Sequence, residues 1–132
     1  MILVDANIFM YAAGADHPHK LPSAAFLSQV ATGQVEAAID SEVLQEILHC
    51  YRAIGRWSEG RHVYDSARLI VPVTLPITVE ILDAARELLD DYEQLNARDA
   101  LHAAVVFKND IRSLCSYDRD FDQIAGLERI EP

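Results

Sequence analysis

The sequence predicts an α/β fold with a central, mainly parallel sheet that helices cover on both faces. Apolar runs of strand length alternate with longer amphipathic stretches along the 132 residues, which is typical of parallel sheets. The first run, at residues 2–4, is continuously apolar, as expected for a strand buried on both faces. Acidic residues directly follow several of these runs, where open parallel sheets bind their ligands.

The first half of the chain is predicted to contain three strands and four helices. Pro22 and Ser23 are typical of a helix start, and Gly33 is typical of a helix end. Asp40 or Ser41 is positioned to cap the third helix, whose apolar residues form a single stripe. A proline within the third strand lacks an amide donor and favours an edge position or a strand end. The predicted strands are 2–4, 35–39 and 69–73, and the predicted helices are 7–13, 22–31, 41–54 and 58–67.

The second half is predicted to continue this alternation with two helices and two short strands. Ile81, Ala85 and Leu88 recur at helical spacing, and we expect them to face the core together with Leu82 and Leu89. The predicted helices are 78–92 and 96–107, the strands are 113–116 and a short one near residue 130, and 118–124 is expected to be a half-formed helix.

The composition indicates one globular domain that spans residues 1–132. Hydrophobic residues make up 51% of the chain and charged residues 24%, which are ordinary values and argue against disorder. No apolar run is long enough to cross a bilayer, and the N-terminus lacks the features of a signal peptide. We therefore expect a soluble, cytoplasmic protein with no membrane partner.

The two cysteines, Cys50 and Cys115, both lie in apolar stretches. A disulfide is compatible with the count, but buried free thiols fit an intracellular protein better. No spacing of cysteine and histidine resembles a zinc site.

The net charge of -10 argues against a nucleic-acid partner, because phosphate binding usually depends on a basic surface. Bound metal ions would reverse the local sign of the charge at their site. Basic residues are also unevenly placed, since four arginines fall within one short stretch and are candidates for contacting a nucleic-acid backbone or an acidic protein segment. A solvated helix face with internal ion pairs is the equally weighted alternative. These arginines are Arg52, Arg56, Arg61 and Arg68.

Carboxylates from four separate segments are predicted to converge at one edge of the sheet. Asp5 follows the first strand and Asp118 follows the strand at 113–116, while Glu46 and Asp99 lie near the starts of helices. Asp122 lies four residues after Asp118 and would share its face in a helix. Magnesium and manganese prefer oxygen ligands of this kind, so the pattern predicts a divalent metal site.

Each acidic residue also has a purely structural interpretation. Asp99 could simply stabilise a helix start, and Glu46 could be solvated surface, although its apolar neighbours favour a functional role. Asp118 is preferred over Asp122 as the fourth member of the cluster because it follows the strand more closely, but both remain candidates. Asp120 is expected to be solvated.

Several other polar residues lie near the predicted site. Asn7 and Ser116 flank strand ends, where they could orient carboxylates or act as ordinary turn residues. His17 and His19 are expected to belong to a surface loop rather than to a metal site. His102, one turn after Asp99, is expected to pack in the core or to support a ligand without binding the metal itself.

Four motifs together resemble the PIN-domain nucleases, and most closely the VapC-type toxins of toxin–antitoxin pairs. These motifs are VDAN near the N-terminus, EVLQEI, RDALHAA and SYDRDFD, in that order along almost the whole chain. The resemblance implies a compact three-layer α/β/α domain. It also implies a ribonuclease that uses Mg²⁺ or Mn²⁺ to hydrolyse RNA phosphodiester bonds with metal-activated water. The sequence shows no sign of a histidine-based mechanism that uses the ribose hydroxyl as nucleophile, so we expect a product with a 5′-phosphate.

The resemblance also assigns site residues and partners. Asp5, Glu46, Asp99 and Asp118 would be the acidic set, with Asp122 as a frequent fifth member. The metal ligands would be Asp5, Asp99 and Asp118, of which Asp5 and Asp99 are the principal ones. Family members are often homodimers and are neutralised by a cognate antitoxin, here a VapB-like protein.

Two other functional classes compete with this interpretation. A metal-dependent phosphatase or phosphotransferase on a related doubly wound fold also uses an aspartate after the first strand. Many such enzymes carry a second aspartate two residues later, whereas this chain has Asn7. A non-catalytic interaction module would not need so many converging carboxylates.

Overall fold

The computed structural model describes residues 1–132, and its centre is a five-stranded sheet whose paired strands are all parallel. The strands are β1 Ile2–Val4, β2 Ala37–Asp40, β3 Thr74–Leu75, β4 Ser113–Cys115 and β5 Glu128–Ile130. Their order across the sheet is β3-β2-β1-β4-β5, which places β1 at the centre. The chain adds β2 and β3 on one side of β1 and then β4 and β5 on the other side. Open parallel sheets bind their ligands at such a switch in strand order.

Six α-helices and one 3₁₀ helix surround the sheet. The α-helices are α1 Ala6–Ala13, α2 Lys20–Ala31, α3 Ser41–Ala53, α4 Trp57–Ile70, α5 Val79–Asp91 and α6 Ala97–Lys108, and the 3₁₀ helix is Arg119–Gln123. None of the helices has the length and apolar character that crossing a membrane requires.

The core is divided between the two faces of the sheet. Val4 and Ile39 point to one face and pack with α1, α2, α3 and α4, whereas Leu3 and Ala38 point to the other and pack with α5 and α6. This division follows from the alternation of side chains along each strand. The predicted three-layer α/β/α architecture with a parallel sheet is confirmed.

The predicted strand at 69–73 is wrong. Leu69 and Ile70 form the end of α4, and the pairing with β2 starts only where the amide of Ile39 donates to the carbonyl of Val73 over 3.0 Å. Pro72 disfavours helical geometry at the preceding residue, so α4 ends there, and it has no amide hydrogen for the sheet. The edge strand β3 is consequently only two residues long.

The predicted inward stripe of α5 is correct only in part. Ile81 and Ala85 are buried, but Leu82 is 49% exposed and Leu89 is 36% exposed. Together with Val79, which is 69% exposed, they form an apolar row on the outer side of α5. The row follows helical spacing, because residues 79, 82 and 89 lie close to one helix face.

Candidate metal centre

A cleft of about 180 Å³ lies at the carboxyl edge of the sheet and collects carboxylates from four segments. Asp5 comes from the end of β1, Glu46 from α3, Asp99 from the first turn of α6, and Asp118 from the segment after β4. The structure therefore brings together the four acidic residues that the sequence singled out first.

Asp5 is held rigidly, and it is only 6% exposed. One carboxylate oxygen accepts from the amide of Ala6 over 2.7 Å and so caps α1, and the other accepts from the hydroxyl of Ser116 over 2.5 Å. Burial raises the pKa of Asp5, although the imidazole of His102 and the hydroxyl of Ser116 counteract this. The carboxylate is therefore held in place, but its contacts do not fully offset the cost of burying its charge.

Ser116 and Asn7 both orient the Asp5 carboxylate. The Asn7 amide donates to Asp5 Oδ2 over 3.3 Å and to Ser116 Oγ over 3.1 Å. Ser116 Oγ also accepts from the backbone amide of Asp118 over 3.0 Å. One hydroxyl thereby ties together the ends of β1 and β4 and the start of the 3₁₀ helix.

Asp99 lies close to other carboxylates of the cleft. The side chain of Asn96 caps α6 by accepting from the Asp99 amide over 2.8 Å, and its own amide donates to Asp99 Oδ2 over 3.1 Å. Burial and the charges of Asp118 and Asp5 raise the pKa of Asp99 to about 7. A cation in the cleft would relieve this repulsion.

The structure separates Asp118 from Asp122. Asp118 lines the cleft, and its carboxylate oxygens lie within 4.8 Å of those of Asp99 and of the exposed Asp120. Asp122 is exposed, does not line the cleft and forms an ion pair with Arg129 at 2.7 Å, which lowers the pKa of Asp122. Asp122 does not share a face with Asp118, because the segment is a 3₁₀ helix with three residues per turn.

Glu46 lies at the rim of the cleft, opposite a basic residue. Its side chain is 12% exposed, and one of its oxygens lies 3.6 Å from Nε of Arg98. Arg98 is half exposed and also lines the cleft. It is therefore a positively charged group that an anionic ligand could reach.

His102 lies beneath the cleft and is completely buried. Its Nδ1 is 2.6 Å from an oxygen of Asp40, while its Nε2 faces Glu46 at 3.6 Å and Asp5 at 3.8 Å. Burial alone would lower the pKa of His102, but Asp40, Glu46 and Asp5 outweigh it and raise that pKa well above 6.5. The expectation that His102 packs in the core is correct, but its contacts connect it directly to the acidic cluster.

The loop histidines have partners that the sequence did not reveal. His19 stacks on Tyr117 with ring centroids 3.6 Å apart, and Tyr11 lies 4.7 Å from His17 and 5.0 Å from His19. Tyr117 directly precedes Asp118, and Tyr11 lies one helical turn after Asn7. We term these four rings the aromatic cluster; none of them lines the cleft itself, but two of them are joined to cleft residues by the chain.

The arginine stretch divides between internal pairs and free side chains. Arg56 forms an ion pair with Glu59 at 2.6 Å, and the guanidinium of Arg52 lies over the ring of Trp57 at 5.1 Å.

Both cysteines are free, as expected. Cys115 is buried, which raises its pKa to about 12, whereas Cys50 is half buried and lines the cleft.

The residues of the cleft fit a divalent cation. The donor set consists of carboxylate oxygens, which Mg²⁺ and Mn²⁺ prefer. Asn7 Oδ1 and His102 Nε2 are buried without hydrogen-bond partners, so the site has unused polar capacity directed at or near the cleft.

Comparison with known proteins yields a consistent set of relatives. The family model for the PIN domain matches residues 2–127. Ribonuclease VapC13 of Mycobacterium tuberculosis is 45% identical over 130 residues, which cover 98% of this chain and 99% of that protein. Ribonuclease VapC23 of the same species is 36% identical over 121 residues, covering 89% of this chain and 93% of that protein.

Solved structures show the same fold at lower identity. VapBC2 from Rickettsia felis, solved bound to a DNA fragment from its promoter, superposes with a TM-score of 0.78 at 20% identity. The alignment covers 99% of this chain and 98% of that chain. VapC20 of Mycobacterium tuberculosis, described as a toxin that cleaves the sarcin-ricin loop, gives a TM-score of 0.74 at 19% identity over the full length of both chains.

Because the pKa of Asp99 is raised, replacing this carboxylate with a neutral side chain should stabilise the protein, and the gain should depend on pH. With metal chelated, Asp99→Asn should raise the free energy of unfolding at pH 8 by about 1–3 kcal/mol. In the folded protein the pKa of Asp99 is about 7, above the ordinary value of 3.8. Ionisation of Asp99 therefore lowers the free energy of unfolding of the wild-type protein as the pH rises from 3.8 to about 7. Urea denaturation at pH 8 and pH 4.5 measures the difference, which should shrink at the lower pH.

Asp91→Asn, at an exposed position on α5, is the matched control and should change stability little at either pH. Equal stabilisation by Asp99→Asn at both pH values would contradict the electrostatic origin of the effect.

Proposed function

The chain belongs to the PIN-domain family, and we propose that it is a metal-dependent endoribonuclease that acts as the toxin of a type II toxin–antitoxin pair. The convergence of Asp5, Glu46, Asp99 and Asp118 in one cleft carries the proposal. Its RNA substrate and a cytoplasmic location follow from this activity. The phosphatase alternative is not favoured, because the relatives of 36–45% identity are named ribonucleases.

Asp5, Asp99 and Asp118 would hold Mg²⁺ or Mn²⁺ in this cleft. Such a cation supplies Lewis acidity, which lowers the pKa of water and offsets charge on the reacting phosphate. Asp5 enters the site already oriented by Ser116 and Asn7, so little rearrangement is needed. Rigid placement of this kind is a large part of what an enzyme contributes to catalysis.

The remaining residues of the cleft have separate tasks. Glu46 faces the cleft, where it can contact the cation directly or through the attacking water. Arg98, half exposed at the rim, can contact the phosphate of the RNA backbone. No histidine lines the cleft surface to activate the ribose 2′-hydroxyl. We therefore expect a product that carries a 5′-phosphate.

The aromatic cluster supports a single-stranded RNA substrate. Single-stranded RNA is usually recognised through bases that stack on aromatic side chains. His17 is exposed and the other three rings are partly exposed, and Tyr117 adjoins the cleft residue Asp118. A base next to the scissile phosphate can therefore stack there.

An apolar cleft of about 230 Å³ between α1, α2 and α4 supports binding of the antitoxin. Its walls include Phe9, Leu27, Val63 and Ile70, which are suited to the apolar side chains of a partner segment. The cleft shares α1 with the metal site, because α1 also carries Asn7. A segment bound there would lie close to the catalytic residues.

The apolar row on α5 supports a homodimer. Val79, Leu82 and Leu89 are exposed and lie near one face of α5, so together they offer an apolar surface to a partner. A second copy of the chain would cover them through a symmetric contact of the kind most homodimers use.

Neutralising the metal ligands should abolish RNA cleavage. Asp5→Asn and Asp99→Asn should each lower kcat/KM about 100-fold or more, because each removes a charge that holds the cation. Mapping RNA ends in the presence of Mg²⁺ or Mn²⁺ and in EDTA measures the loss. Asp91→Asn is the exposed control. Unchanged cleavage and growth inhibition by Asp5→Asn would refute the proposed function.

The same assay distinguishes the two candidates for the fourth acidic residue. Asp118→Asn should lower the rate strongly, whereas Asp122→Asn should change it less than about threefold, because Asp122 only forms an exposed ion pair.

Co-production of the protein from the neighbouring gene should relieve growth inhibition by the wild-type chain. Failure of that rescue would contradict the proposed antitoxin partner.

Removing a ring of the aromatic cluster should weaken RNA binding more than catalysis. His19→Ala and Tyr117→Leu should raise KM about tenfold and leave kcat within about threefold, because a stacking contact is lost. Steady-state kinetics with a single-stranded oligoribonucleotide measures both constants. His62→Ala, an exposed histidine on α4, is the control. An unchanged KM for His19→Ala would exclude base stacking at this cluster.

A charge within the apolar row should break the homodimer. Leu82→Asp should convert a dimer into a monomer in sedimentation equilibrium, since it places an unpaired carboxylate in an apolar contact. Glu87→Ala, which lies off the row, should leave the dimer intact. A wild-type chain that is monomeric at high concentration would contradict the proposal.

A further inference from the structure

One ring nitrogen of His102, Nε2, is buried in the acidic cluster without a hydrogen-bond partner. The side chain of this residue is 0% exposed. The nearest carboxylate oxygens are those of Glu46 at 3.6 Å and Asp5 at 3.8 Å, and neither distance is short enough for a hydrogen bond. A buried polar atom of this kind requires a physical explanation.

The opposite side of the ring is firmly held. Nδ1 lies 2.6 Å from Asp40 Oδ2, while Asp40 Oδ1 accepts from the amide of Val43 over 2.9 Å and caps α3. Asp40 is itself fully buried, so it cannot turn away. This contact fixes the orientation of the ring and directs Nε2 toward the carboxylates. Histidines that bind metals are usually held in the same way, with the other ring nitrogen donating to a carboxylate.

The spacing around Nε2 fits a shared cation. Two carboxylates directed at one ring nitrogen need a positive charge between them, which either the Nε2 proton or a metal ion in its place supplies. Two donor atoms that each lie about 2.1 Å from one tetrahedral ion are about 3.4 Å apart. The donor atoms of Asp5, Glu46 and His102 all lie within 4.8 Å of one another, so small side-chain movements bring them to such an ion.

We propose that His102 is a metal ligand, which binds a divalent cation through Nε2 together with Asp5 and Glu46. This assignment rests on the proposed function only in that the cleft must bind a cation. An imidazole ligand favours first-row transition ions over Mg²⁺, which prefers oxygen ligands alone. The site therefore favours Mn²⁺ or a later transition ion over Mg²⁺, and His102 gives up its Nε2 proton when the ion binds.

Electron spin-echo spectroscopy of Mn²⁺ tests the ligand assignment without measuring activity. The full-length wild-type protein is loaded with one equivalent of Mn²⁺, once with natural nitrogen and once with ¹⁵N-labelled histidine. Nitrogen coupling that changes with the label supports a histidine ligand. A manganese signal without such coupling would overturn the assignment, whether or not any variant folds.

Variants identify which histidine is responsible. His102→Gln should remove the nitrogen coupling and weaken Mn²⁺ binding about tenfold or more in calorimetry, with a smaller effect on Mg²⁺. His62→Gln, at an exposed position, should change neither. Persistence of the coupling in folded His102→Gln would also overturn the assignment.

The two proposals fail in different ways. If Mn²⁺ shows no nitrogen coupling but RNA is cleaved in a metal-dependent manner, the ligand role of His102 is wrong and the ribonuclease stands. If Mn²⁺ binds with nitrogen coupling but RNA is not cleaved, the ribonuclease is wrong and the ligand role stands.

Discussion

Repulsion among the carboxylates at the carboxyl edge of the sheet is the constraint on which the site depends. Asp5 and Asp99 are each only 6% exposed, so solvent does little to screen their charges. The fold supplies hydrogen-bond donors to offset the repulsion, namely the hydroxyl of Ser116 and the amide groups of Asn7 and Asn96. The balance remains unfavourable at Asp99, whose pKa stays near 7. A cation bound in the cleft would relieve the repulsion that remains.

The overall charge of the chain is easier to understand in this light. A net charge of -10 is unusual for a protein that acts on RNA, whose backbone is itself anionic. Part of that charge is concentrated in the cleft, where a bound cation reverses its effect on phosphate. Arg98 adds a positive group at the rim. Attraction to RNA at the cleft would thus be local and would depend on the cation.

The order of the elements and the core of the site could be predicted from the sequence, because they depend on local patterns. A continuous apolar run followed by Asp5 determines both a buried strand and the position of its carboxylate. The run at 69–73 was misleading, because a short apolar segment fits a helix end as well as a strand. Asp122 lies outside the cleft because residues 119–123 form a 3₁₀ helix with three residues per turn instead of an α-helix with 3.6. The sequence does not reveal this difference. The contact of His102 with Asp40 joins residues 62 positions apart, and no local signal indicates it.

Asp40 serves two parts of the molecule at once. One of its oxygens caps the first turn of α3, and the other holds the ring beneath the acidic cleft. The cleft and the start of the helix that carries Glu46 are therefore linked through one side chain. A cation bound in the cleft would act on both, so occupancy of the site would be coupled to local opening of α3.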